Sequence, residues 1–600
     1  MPLPALDSTD SEAILELLEK VTADASQIQD ELLEEILTTN ANTQYLKGFL
    51  NGYSNKQLFK KAVPVVEYQD IEPFVDRIAN GESSHLISAH PITELLLSSG
   101  TSGGKRKAIP TTAEEPRRRA FYASLTATIL NKHIEFWNQG KQMNFRFIMP
   151  EMTTLGGLAV TNAVSSNFRR SRMQNRSNCW NNDTSPDEVI LCQDIKQSMY
   201  CQLVCGLVQR DAVVRIGTTY ASGFLRVIKF LEEHWQELCS NIKTGHISDW
   251  IIDPGCQKAV SSILSQQMPC LADSIEIECR SGSWGGIVKR LWPRTKCIEV
   301  VSTGTMTQYI PNLEFYCGGV PLVSMYYAAS EGFFGLNLKP LSDPYNVSYT
   351  LVPWMAYYEF LPLGHKQSTT QEHSQDNDTN CMSTLGELVD LVNVQIGQQY
   401  ELVVTTFTGL YRYRVGDVLM VTDFHNNTPQ FKVVQRRNVV LSIDLDKTTE
   451  EGLLKAVSKA MQILEPLGYL LTDYSSYADM SSFPGHYVLF WELQMRENAG
   501  IAAVLERVQM EGCCNVVEES LDGMYKTLRR RSNVIDRLEI RVVKRGTFDG
   551  LMDLFLSEGA SLNQYKTPKS IKSEKAIQFL NSMVVETFFS RVLPAFPPTG

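Results

Sequence analysis

The segment Leu95-Leu-Leu-Ser98-Ser99-Gly100-Thr101-Ser102-Gly103-Gly104-Lys105-Arg106-Lys107 sets four hydroxyls and three glycines between an apolar stretch and three cations. Glycine lets backbone amides come close to phosphate oxygens, hydroxyls add donors, and the cations offset the charge. The spacing is not that of a Walker loop, which needs four residues between its first glycine and a Gly-Lys pair followed by Ser or Thr. Two readings stand on these residues alone: a phosphate-binding turn after a strand, or a solvated Ser/Gly connection.

Two further clusters suit a nucleotide. Tyr326-Tyr327-Ala328-Ala329-Ser330-Glu331-Gly332 combines a stacking ring, small residues, a hydroxyl and a carboxylate. Gly409-Leu-Tyr411-Arg412-Tyr413-Arg414-Val-Gly416-Asp417 alternates rings and guanidiniums as a strand does, then is expected to turn at Gly416 and present Asp417. A carboxylate so placed can accept from both ribose hydroxyls, as acidic residues do in dinucleotide sites. The competing reading of the same residues is an edge strand with solvated arginines. Near the C-terminus, Gln564-Tyr565-Lys566-Thr567-Pro568 holds a lysine in a proline-fixed loop. Such a lysine is either solvated or a cation that stabilises charge developing on a phosphate or carboxylate.

These segments need elements to carry them. Ile14, Leu17, Leu18 and Val21 recur at helical intervals within residues 8–37, which predicts an amphipathic helix. Helices are expected over Ile195–Leu207 and Phe224–Ile242 with a buried strand at Val213–Ile216, an α/β rhythm. Residues 364–383 have no apolar side chain before Cys381 and read as a solvated loop. A dense β region runs over Glu401–Val440. A fresh pattern follows, with a helix near Glu451–Leu464 and strands at Tyr487–Trp491 and Leu538–Val543. The pattern change predicts a large domain over 1–437 and a small one over 438–600, as expected for a chain of 600 residues.

Composition narrows the class. The chain is 43% apolar and carries a net charge of −11, which gives no electrostatic footprint for a nucleic-acid backbone. No apolar run is long enough to cross a bilayer, and the N-terminus lacks a secretory pattern, so a cytoplasmic protein is expected, with neither membrane nor nucleic acid as partner. The thirteen cysteines are scattered and form no paired Cys-x-x-Cys units. The histidines lack His-x-x-x-His spacing.

Taken together and in this order, the motifs resemble those of the Gretchen Hagen family of plant acyl-acid amido synthetases, a branch of the adenylate-forming enzymes related to firefly luciferase. The resemblance spans nearly the whole chain. It implies an α/β fold of the luciferase-like adenylating type: a large N-terminal domain of β-barrel and helix-flanked sheets, and a small mobile C-terminal α/β domain joined by a hinge near Arg437–Lys447. It implies a phosphate loop at Ser98, Ser99, Thr101 and Ser102, and an adenine and α-phosphate wall at Tyr327, Ala328, Ser330 and Glu331. Ala329 stands there where the family has a second serine. Thr303 is expected beside nucleotide and acyl group, Asp417 on the ribose, Lys566 as the mobile catalytic lysine, and Glu331 as a catalytic group that positions Mg²⁺.

The implied activity uses ATP to turn a small carboxylic acid into its acyl-adenylate, which an amino acid then attacks to give an amide. A non-catalytic binding protein for a hormone-like acid and a nucleotide is the rival from another class, and transfer to coenzyme A is a second rival. Residues Ile190–Arg210 resemble the auxin and benzoate branches, which favours indole-3-acetate or a close aromatic relative over jasmonate. The acyl pocket expected around Arg118, Thr126, Leu158 and Val160 departs from both branches. Thr126 replaces the benzoate branch's arginine and the auxin branch's apolar residue. Gly156-Gly157-Leu158-Ala159-Val160-Thr161-Asn162 replaces the auxin pattern Gly-Gly-Leu-Pro-Ala-Arg-Pro. A benzoate therefore needs Arg118, Arg119 or another cation as carboxylate partner.

Overall fold

The structure is a computed structural model that describes residues 11–102, 105–136, 139–173, 182–363, 387–436, 439–495, 506–530, 534–557 and 567–595. The loop expected over 364–383 lies outside them. The chain divides into two compact units, one of residues 1–98 with 108–437 and one of residues 99–107 with 438–600.

In the larger unit, the expected N-terminal helix is two, Ser11–Ala23 and Ala25–Asn40, broken at Asp24. Ile14, Leu18 and Val21 bury one face of the first, as their spacing requires. A four-stranded sheet, ordered Lys141–Phe145, Val213–Tyr220, Cys297–Val301, Leu322–Val323, is parallel throughout. The helices Ile195–Val208 and Ala221–Thr244 extend the sequence-based ranges by a few residues. Parallel neighbours need long crossovers, and helices of this length supply them.

The barrel-forming region implied by the resemblance is an eight-stranded antiparallel sheet. Its order is Val389–Asp390, Tyr357–Pro362, Gln399–Thr405, Tyr413–His425, Thr428–Arg436, Tyr349–Leu351, Gly332–Leu336, Tyr326–Ala329. Its core holds Leu402, Val404, Tyr413, Leu419, Tyr358, Phe360 and Phe431, with Phe360 and Phe431 stacked at 5.1 Å. The expected edge strand over 409–417 is not one. Tyr413–His425 lies between two partners inside the sheet, because Arg412 and Arg414 are not solvated. Arg412 grips Glu359 through two 3.0 Å hydrogen bonds, and Arg414 pairs with Glu401 and Glu67. A guanidinium with carboxylate partners is compatible with burial, and an unpaired one is not.

In the smaller unit, strands Tyr469–Asp479, His486–Met495, Glu539–Val543 and Val584–Phe589 form a mixed sheet. Alternation along His486–Met495 explains why it is buried on both faces. Tyr487, Leu489 and Trp491 pack in the core with helices Glu450–Leu464 and Arg507–Ser520, while Val488 and Phe490 pack in the core with Thr547–Ser557 and Glu574–Ser582. The architecture is α/β, with a large N-terminal and a smaller C-terminal part.

Candidate functional site

Strand Tyr413–His425 carries Asp417 through an irregularity rather than a turn. Val403 pairs with Arg414 and Glu401 with Val418, so three residues of one strand face one of the other. Gly416 absorbs the distortion at φ +88°, a backbone that L side chains rarely adopt. The expected turn at Gly416 is thus a bulge within a continuous strand, and it re-aims Asp417.

The hairpin Tyr326–Ala329 and Gly332–Leu336, at one end of the sheet, turns through Ser330 and Glu331. Two side-chain links connect it with the bulged strand. The Tyr327 hydroxyl donates to Asp417 Oδ2 at 3.1 Å, and the Tyr413 hydroxyl donates to Glu331 Oε1 at 3.2 Å. Glu331 is buried, and its second oxygen accepts no hydrogen bond from the described residues. Tyr327 is buried and packs against Phe334 and Tyr349, with centroids 5.9 and 6.1 Å away. Ala328 is exposed and Ser330 half-buried.

Thr303 joins the same assembly through a residue that the sequence does not flag. Its Oγ1 lies 3.0 Å from the Tyr349 hydroxyl, which lies 2.7 Å from Ser324 Oγ. Burial pushes the Tyr349 phenol up to about 12, so it stays a neutral donor and acceptor. Thr303 precedes a 3₁₀ turn, Gly304–Tyr309, that Gly304 enters at φ +63°. Thr303, Tyr327, Glu331 and Asp417 thus come together from a stretch of chain that runs over residues 303–417. Tyr349 and Ser324, missed in the sequence, sit in apolar surroundings with no motif to mark them.

Ser98 is buried, and the strand Ile92–Ser102 continues past it. The hydroxyl-rich segment is therefore extended where a turn was expected, since its neighbour in the sheet, Lys105–Thr112, resumes only three residues later. The side chains of Ser99, Thr101 and Ser102, and Lys566 altogether, lie outside the described residues.

For the acyl side, Arg118 and Thr126 stand on helix Glu115–His133, Leu158 beside and Val160 within strand Ala159–Thr161. The Arg118 guanidinium sits 4.0 Å from the centre of the Phe407 ring, and Phe407 shares an apolar cluster with Leu158 and Val160. Its Nη1 donates to the Trp354 carbonyl at 3.0 Å, and its Nε is buried without a partner. Arg119 repeats this arrangement, with Nη1 on Asn167 Oδ1 at 3.0 Å and an unpartnered Nε. Burial pulls both guanidinium pKa values down, with the Glu115 charge opposing. Neither arginine forms an ion pair among the described residues, so each can take an incoming carboxylate. Thr126 spends its hydroxyl on the Tyr122 carbonyl at 3.0 Å.

Three family patterns match the chain: the GH3 family N-terminal domain over residues 14–322, the central domain over 349–436 and the C-terminal domain over 451–575. An Arabidopsis thaliana indole-3-acetic acid-amido synthetase, GH3.17, is 53% identical over 100% of this chain and 99% of its own. An Arabidopsis thaliana 4-substituted benzoates-glutamate ligase, GH3.12, is 50% identical over 96% of this chain and 97% of its own. The solved AtGH3.15 acyl acid amido synthetase in complex with 2,4-DB is 50% identical, covers 99% of this chain and 100% of its own, and superposes with a TM-score of 0.68. With all three domains matched in order, the buried arginines, the bulged strand and the tyrosine-linked carboxylates belong to a member of the GH3 family.

Proposed function

We propose that this protein is an ATP-dependent acyl-acid amido synthetase that adenylates an aromatic acid of the indole-3-acetate class and joins it to an amino acid. The observation that carries the reading is the linked set of Asp417, Tyr327, Tyr413 and Glu331, two carboxylates held in place by two buried phenols. The auxin assignment draws support from the indole-3-acetic acid-amido synthetases among its relatives.

In the proposed reaction, Asp417 accepts from the ribose hydroxyls, and the Tyr327 bond holds its carboxylate in place. Tyr327, Ala328 and Ser330 line the adenine and α-phosphate, Ser98, Ser99, Thr101 and Ser102 the outer phosphates, and Thr303 the junction with the acyl group. The acid's carboxylate oxygen attacks the α-phosphorus and pyrophosphate leaves, which converts a poor leaving group on the acyl carbon into AMP. The amine of the amino acid then attacks that carbon, AMP departs, and the amine loses a proton. Positioning and electrostatics supply most of the acceleration. Arg118, set over the Phe407 ring whose cluster includes Leu158 and Val160, holds the acid's carboxylate, and Thr126 on the same helix shapes the pocket. Lys566, in Gln-Tyr-Lys-Thr-Pro, stabilises phosphate charge during adenylation.

Glu331, a buried residue, offers a carboxylate oxygen that accepts nothing from the described residues, a fit to Mg²⁺, which would offset phosphate charge when bound. Residues 1–437 form the nucleotide and acyl part in this reading, and 438–600 the part that carries Lys566. No helix among the described residues is long and apolar enough to cross a membrane; the cytoplasm is the proposed compartment.

The test measures pyrophosphate release from ATP and Mg²⁺ with indole-3-acetate, indole-3-butyrate, 4-hydroxybenzoate and jasmonate, then identifies amide products across an amino-acid panel. Acid-dependent release strongest with an indole acid is expected. A clear preference for 4-hydroxybenzoate or jasmonate would overturn the auxin assignment, and no acid-dependent release would overturn the enzyme.

A further inference from the structure

Away from the Thr303 to Asp417 assembly, two thiols and a carboxylate meet among the helices on the parallel sheet. Cys192 follows the short helix Asp187–Ile190, and Cys256 is the third residue of Pro254–Ile263. Cys192 Sγ, Cys256 Sγ and a carboxylate oxygen of Asp253 all lie within 4.8 Å of one another. Among the described residues this is the one place where three such donors converge.

Buried cysteines are ordinarily small apolar fillers, and Cys205, Cys239 and Cys317 fit that description here. A carboxylate turned toward two thiols does not. Asp253 is fixed by its role as N-cap, with Oδ1 accepting the Cys256 amide at 2.8 Å and its own amide donating to Gln197 Oε1 at 2.9 Å. Oδ2 accepts no hydrogen bond from the described residues. Cys256 stands in the first turn of its helix. Asp253 is half-buried beside the exposed Ile252, which gives a short path from solvent.

We propose that Cys192, Asp253 and Cys256 form a binding site for a thiophilic divalent cation of the zinc class. Zinc holds thiolate sulfurs at about 2.3 Å and carboxylate oxygens slightly closer, which places tetrahedral ligand atoms about 3.8 Å apart. A 4.8 Å cluster reaches that with side-chain adjustments alone. A buried thiol stays protonated until a bound cation displaces its proton. Loading the site therefore expels the protons of Cys192 and Cys256 to solvent, one for each sulfur–metal bond formed, while the Asp253 carboxylate binds already ionised. Two thiolates with one carboxylate select zinc or cadmium over magnesium.

The test titrates reduced, chelator-treated full-length protein with Co²⁺. One equivalent is expected to give a thiolate-to-cobalt charge-transfer band with tetrahedral d–d absorption and to release about two protons. The band is expected to vanish in Cys192→Ser/Cys256→Ser. Asp253→Asn keeps the helix cap, so it guards against misfolding of the cysteine variant; it should retain a thiolate band and bind cobalt at least about tenfold more weakly. The proposal is overturned by a reduced wild type that shows no thiolate band at equimolar Co²⁺, by a band that survives the double variant, or by Asp253→Asn binding as the wild type does.

Discussion

Arg412 tests the claim that buried ion pairs hold the strand carrying Asp417. Arg412 is 8% exposed and its partner Glu359 2%. It donates to both Glu359 oxygens at 3.0 Å and to the carbonyls of Lys60 and Val63 at 2.6 and 2.8 Å. Glu359 already has its carboxyl pKa raised by burial, with Arg412 opposing the shift. Arg412→Met preserves much of the volume and leaves that carboxylate uncompensated along with two carbonyls, at a cost of about 3–5 kcal/mol. The left-handed backbone at residue 412, φ +46°, burdens both side chains alike and cancels in the comparison. Arg412→Met/Glu359→Leu removes both charges and should recover most of the loss, because a matched apolar pair replaces a buried salt bridge at little cost. Hydrogen exchange on peptides from Gln399–Thr405 and Tyr413–His425 reads the effect in the full chain. Exchange is expected to quicken on the order of a hundredfold or more in the single variant, and to return to within about tenfold of wild type in the double. Equal exchange in the two variants, or a single variant like wild type, would refute the reasoning.

Tyr327→Phe deletes the hydroxyl that fixes Asp417 and should raise the KM for ATP by about tenfold with little change in kcat, as a hydrogen bond to a charged group is worth about 1.5–3 kcal/mol; an unchanged KM would separate Tyr327 from the nucleotide. Asp417→Ala should chiefly weaken ATP binding, whereas Lys566→Ala should chiefly slow adenylation, by about a hundredfold or more in single-turnover pyrophosphate release; full activity in Lys566→Ala would remove that lysine from the chemistry. Asp446 is fully buried, accepts from Thr448 at 3.0 Å and from Tyr487, and lies beside Asp522, so burial first and the Asp522 charge second raise its carboxyl from the ordinary 3.8 to about 8. An acid raised above its unfolded value contributes stability that is whole below about 3.8 and is lost as pH climbs to about 8. Asp446→Asn mimics the protonated form, so its melting temperature should match wild type near pH 4, exceed it at pH 8 and fall less between; parallel pH profiles by calorimetry would show that Asp446 is ionised in the fold.

Helix positions were readable because apolar periodicity is a local property. Ile195–Val208 and Glu450–Leu464 fall within a residue of the reading, and the Ala221–Thr244 helix only adds a turn. The arginines of 409–417 were misread because their partners, Glu359, Glu401 and Glu67, lie on other strands or on a distant helix cap, and no local pattern tells a paired guanidinium from a solvated one. The bulge at Gly416 was mistaken for a turn for a similar reason. Glycine announces an unusual backbone, and only the partner strand decides whether the chain reverses or kinks there.

What the sequence determined by itself is therefore the order of the motifs, the change of pattern near residue 437 and the kinds of side chain available for chemistry, since each is written in consecutive residues. Tertiary structure alone decided which of those side chains meet. Tyr349 bridges Thr303 and Ser324, Tyr413 reaches Glu331, and Cys192 meets Cys256 across intervening helices, although no paired Cys-x-x-Cys spacing marks them. Such contacts are products of strand register and helix packing, and these are settled by the burial of whole faces rather than by any short stretch of chain.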